Sequence, residues 1–62
     1  MHRSNRLARG TYVIIPSKGW NGWIRDYVGG TIYNKNPRYL VELSSGGRNV
    51  WIDVSEVKVY GS

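Results

Sequence analysis

Trp23, Arg25 and Tyr27 stand at every second position of one short stretch, with Lys18 and Trp20 just ahead of it. In an extended strand alternate side chains share a face, so this spacing sets a cation between two flat aromatic rings. Such rings give nucleobases a stacking surface at about 1–3 kcal/mol per base, and neighbouring arginines and lysines neutralise phosphates. The combination suits a single strand or an RNA loop; a basic patch without aromatics would only track the phosphate backbone. Trp, Tyr and Arg are also the residues enriched at protein–protein hot spots, so a docking surface is the alternative reading. A chain this short needs aromatic area for its own core, and at least one of Trp20, Trp23 and Trp51 is expected to be structural.

Other kinds of chemistry find little to work with. The chain has no cysteine, hence no disulfide framework and no thiolate metal site. His2 is the single histidine, which excludes a histidine-based metal centre and a Ser-His-Asp arrangement. Asp26, Glu42, Asp53 and Glu56 are scattered over separate segments and suggest no acid–base pair. Ser17, Ser44 and Ser45 sit near turns, where hydroxyls bond the local backbone, and Gly46-Gly47 precedes a strand pattern rather than a helix. The expectation is a non-enzymatic protein with no cofactor and no metal. The longest apolar run, Tyr12 to Pro16, is too short to cross a bilayer, and the amino terminus lacks a signal-like apolar segment. A cytoplasmic protein with no membrane partner is therefore expected.

The 62 residues make one domain near the lower limit for unaided folding. Their net charge of +5 is uneven. Arg3, Arg6 and Arg9 contribute +3 with no acid among them; Lys18, Arg25, Lys35, Arg38, Arg48 and Lys58 against the four acids leave +2 for the remainder. A basic arm ahead of a mildly basic domain favours a polyanionic partner, with nucleic acid, RNA or DNA, foremost.

Strands must position these residues. Residues 1–9 show no alternation and read as a flexible basic arm, with the folded domain over 10–62. Thr11 to Ile15 is rich in β-branched and aromatic residues and is closed by Pro16; Val13 and Ile15 face inward, Tyr12 and Ile14 outward. Ser17 to Asn21 is a loop. A second strand runs from Gly22 to about Val28, with Ile24 and Val28 inward and Trp23, Arg25 and Tyr27 outward. Asp26 is the worst fit to this register on the inner side: it marks either a barrel mouth or a bulge, and with a bulge the outer-face list after it slips by one residue. Gly29-Gly30 bends the chain, Thr31 to Tyr33 continues the strand past the kink, and Asn34 to Pro37 is a polar turn.

The third strand alternates most cleanly, with Tyr39, Val41 and Leu43 inward and Arg38, Leu40 and Glu42 outward. Ser44 to Gly47 turns into a fourth strand with Val50, Ile52 and Val54 inward and Trp51 outward. Ser55-Glu56 makes a helical turn before a fifth strand with Val57 and Val59 inward and Lys58 and Tyr60 outward. Five short strands between glycine-rich turns make an all-β domain, a small barrel or two packed sheets. On that frame Trp23, Arg25, Tyr27, Arg38, Trp51 and Lys58 share one outer surface, with Lys18, Trp20 and Arg48 reaching it from loops and Arg3, Arg6 and Arg9 from the arm.

Gly10, Val13, Ile15, Lys18, Gly19, Gly22 and Ile24, followed by Tyr39, Val41 and Leu43, a glycine-rich turn, Val50 and Ile52, and Glu56-Val57, resemble the SH3-like small barrels of KOW type. The resemblance spans roughly residues 10 to 60 and implies a five-stranded SH3-like barrel that contacts RNA, DNA or protein. The chain is similar as well to the DNA-binding carboxyl-terminal domain of retroviral integrases. Its Arg9-Gly10 start and Glu56-Val57 ending are similar to the SH3-like accessory subunit of photosystem I, a protein-docking module. It also resembles type II dihydrofolate reductase around Gly22 to Ile24. Where that family has Val-Gln-Ile-Tyr in its active site, this chain has Val50-Trp51-Ile52-Asp53, and the replacement of two of the four residues implies no reductase activity.

Overall fold

The computed structural model describes residues 6–33 and 35–61. Five strands run through it: β1 (Tyr12–Ile15), β2 (Trp20–Val28), β3 (Arg38–Leu43), β4 (Asn49–Asp53) and β5 (Lys58–Val59). A 3-10 turn over Val54–Glu56 separates the last two. Neighbouring strands are antiparallel and lie in the order β4-β3-β2-β1-β5. The all-β class and the number of strands are those expected from the alternation.

The sheet is curled but not closed, because no ladder joins its edge strands β4 and β5. The short β4–β5 connection forces the curl. A flat five-stranded sheet would separate its edges by about 19 Å, at about 4.8 Å per strand step. Three 3-10 residues and two extended steps reach only about 13 Å. Curling also encloses the inner face: Val13, Ile15, Ile24, Tyr39, Val41, Leu43 and Ile52 form one buried cluster. Val13, Ile15 and Val41 retain no solvent exposure, which one face of a flat sheet could not provide.

β2 is longer than its alternation suggests and serves two partners. Its start pairs with β1, Trp20 opposite Ile15 and Trp23 opposite Tyr12, and its remainder pairs with β3. Gly22 sits where both ladders overlap, and a Cβ there would run into the backbone carbonyl of Glu42. Only glycine lets β2 and β3 approach so closely at this point. The hairpin between β3 and β4 depends on glycine for a different reason, since Gly46 and Gly47 hold φ of 88° and 70°. Ser44 braces this end through a side-chain hydrogen bond to the Asn21 amide oxygen at 2.6 Å.

Three segments differ from the alternation. Thr31 to Tyr33 does not extend β2 but forms an exposed bend, with Ile32 and Tyr33 84% and 93% exposed. Val54 opens the 3-10 turn instead of ending β4, and Val57 precedes β5. Arg6 to Gly10, read as the end of an arm and the first residue of the domain, lies against the sheet. The Leu7 N–H donates to the Tyr39 hydroxyl at 2.6 Å, the Gly10 N–H donates to the Ile24 carbonyl at 2.7 Å, and the Leu7 side chain packs on the core. Arg3 lies outside the described residues.

Candidate binding surface

The register of β2 decides which side chains the outer face presents. Ile24 pairs with Val41 and Asp26 with Leu40, so Arg25 is the extra residue of a bulge. Beyond it the faces exchange. Asp26, expected inside, is exposed, and its carboxylate accepts the Tyr27 N–H at 2.8 Å. Tyr27, expected outside, turns inward opposite Tyr39, with ring centroids 5.3 Å apart, and packs on the core. Val28, expected inside, pairs with Arg38 on the outer side and stays half-buried.

Trp20 is also structural. Placed in a loop by its sequence context, it instead begins β2 opposite Ile15 and is half-buried against the core. The Lys18 ammonium lies 5.6 Å from its ring centroid, so the two act together as a cover at this end of the sheet. The Arg6 guanidinium caps Tyr27 similarly, 4.9 Å from the ring centroid. Arg6, Leu7, Arg9, Asp26 and Tyr27 line an open cleft of about 310 Å³.

The outer face carries a ridge of three aromatic rings, from β1, β2 and the residue just after β5. Tyr60 meets Tyr12 edge-on at 5.3 Å and 79°, and Tyr12 meets Trp23 at 5.4 Å and 58°. The Ile24 N–H donates to the Thr11 carbonyl, which makes Tyr12 and Trp23 a non-hydrogen-bonded pair, the position where cross-strand side chains come closest. Edge-to-face rings attract through their quadrupoles and hold one another upright. Trp23 and Tyr60 keep 37% and 64% of their surface exposed. Tyr12 falls on the outer face by alternation, but its place in a ridge depends on strand pairing, which no local pattern reveals.

Charges flank the ridge unequally. Arg25 is tied to Glu42, its Nε and Nη2 both 2.6 Å from one carboxylate oxygen. Lys58, opposite Ile14 on β5, is exposed on the same face as Tyr60. Trp51 is 47% exposed beside Leu40 in a second, smaller apolar strip. Arg38 is half-buried opposite Asp53, and its buried Nε has no hydrogen-bond partner. Arg48 is exposed where the hairpin enters β4. Arg9, Lys18, Arg48 and Lys58 make no ion pair among the described residues. The candidate residues therefore divide between the ridge, the Leu40–Trp51 strip, the cleft beside Tyr27 and the loop end that carries Lys18 and Arg48.

No protein-family model, curated protein or solved structure matches the chain. The site's own chemistry has to carry the functional reading. Among the described residues no group of acids or histidines is placed to hold a metal ion. Among the described residues no helix is long and apolar enough to cross a membrane.

Proposed function

We propose that the protein is a non-enzymatic module of SH3-like type that binds single-stranded nucleic acid, RNA or DNA. The observation that carries this reading is the Tyr60–Tyr12–Trp23 ridge on a domain of net charge +5. Bases stack on the exposed faces of Trp23 and Tyr60, and Lys58 beside the ridge neutralises phosphate. Arg25 contributes less than its sequence position suggests, because Glu42 already holds it. Arg48 and Lys18, on loops at one end of the sheet, extend the positive surface along which a backbone would run.

Tryptophan fluorescence titrations with single- and double-stranded RNA and DNA, each at two salt concentrations, test this. Single strands are expected to bind more tightly than duplexes, with quenching that Trp23→Ala removes. Failure of every oligonucleotide to bind at low salt would overturn the proposal. A protein-docking reading rests on a different observation, the almost fully exposed Ile32 and Tyr33 in the β2–β3 loop. In that case Tyr33→Ala, not Trp23→Ala, would abolish retention of a partner, and salt would matter little.

A further inference from the structure

The free edge of β4 is built to pair with itself. In β3–β4 the Leu43 N–H donates to Arg48 and the Val54 N–H donates to Pro37. With the register Val41 opposite Val50 and Tyr39 opposite Ile52, even-numbered residues of β4 bond to β3. The backbone N–H and C=O groups of Asn49, Trp51 and Asp53 therefore point away from the sheet, and no bond within the chain uses them among the described residues. The usual protections of an edge are missing here: β4 contains no proline, no lysine and no bulge. The opposite edge strand, β5, is only two residues long and carries Lys58.

We propose that two copies of this chain associate through antiparallel pairing of their β4 edges, forming one continuous sheet. A two-fold axis perpendicular to the sheet keeps inner faces together, so outward residues must oppose outward residues. One register then uses every edge-facing group: Trp51 opposite Trp51 of the second copy, and Asn49 opposite its Asp53. A shift by one repeat in either direction leaves one of the three residues on each chain without a partner. The side chains suit the same register. The Asn49 amide meets a carboxylate, Val50 meets Ile52 on the inner side, and the Leu40–Trp51 strips of both copies join across the axis. No like charges oppose each other, despite the net charge of +5. Both aromatic ridges lie on the same side of the extended sheet.

Sedimentation equilibrium over a concentration series is the first test, with a monomer–dimer equilibrium expected. Because the chain has no cysteine, Trp51→Cys gives a single thiol next to its symmetry mate. Paired residues of this kind lie about 5.5 Å apart at Cα, within disulfide range. Mild oxidation is expected to cross-link Trp51→Cys and not Ser45→Cys, which sits exposed in the hairpin turn. Asn49→Asp, which sets two carboxylates opposite each other at both ends of the pairing, should weaken the dimer about tenfold, whereas Asn49→Lys should not. Both Asn49 substitutions are at an exposed position, and an unchanged melting profile at low concentration would show that the monomer is intact. A monomer at every concentration, a dimer in which Ser45→Cys cross-links as readily as Trp51→Cys, or equal effects of Asn49→Asp and Asn49→Lys would each overturn the proposal.

Discussion

Trp23 and Tyr27 illustrate how two aromatics of the same strand take different duties. Trp23 leans on Tyr12 and keeps an exposed face, so Trp23→Ala should weaken single-strand binding by roughly 5- to 100-fold, the equivalent of one stacked base. Tyr27 packs on the core beside Tyr39, and Tyr27→Ala should instead lower stability by about 2 kcal/mol, half the cost of emptying a fully buried aromatic site. Denaturant titration of both variants beside the binding assay separates the two effects. The Tyr39 hydroxyl is the acceptor that fixes the Leu7 amide. Tyr39→Phe should cost about 1 kcal/mol and speed hydrogen exchange at Leu7, leaving the core strands protected.

At the level of the strand, β2 combines a close approach at Gly22 with a bulge at Arg25. Gly22→Ala should destabilise by at least about 1–3 kcal/mol, since the added methyl group meets backbone that cannot swing aside as a side chain would. Arg25→Ala should change stability by under about 0.5 kcal/mol, because the Arg25–Glu42 pair is well exposed to solvent. Thermal melts of the two variants should therefore diverge clearly, and comparable losses would contradict this account of β2. In the sequence one residue, Asp26, whose charge fits an inner face badly, points to either a bulge or a barrel mouth. The bulge's location at Arg25 follows from the offset between the Ile24–Val41 and Asp26–Leu40 pairs.

For the molecule as a whole, binding to a single strand should weaken with salt. Three phosphate contacts, for example from Lys18, Arg48 and Lys58, would give a slope of about −2 in log K against log salt. A slope near zero would favour the docking reading. The alternation of apolar residues was enough to give five strands and the all-β class and to put the seven core residues inward, though in a longer inward list that also held Val28, Val50, Val54, Val57 and Val59, because side-chain direction in a strand depends only on local backbone geometry. Composition likewise set the positive charge and the absence of any thiol. The aromatic ridge, the capture of Arg25 by Glu42 and the free edge of β4 had no such local signature, and the inward turn of Tyr27 only the indirect one of Asp26. Each depends on which strands become neighbours and in what register, and long-range hydrogen bonding between segments far apart in the chain settles that.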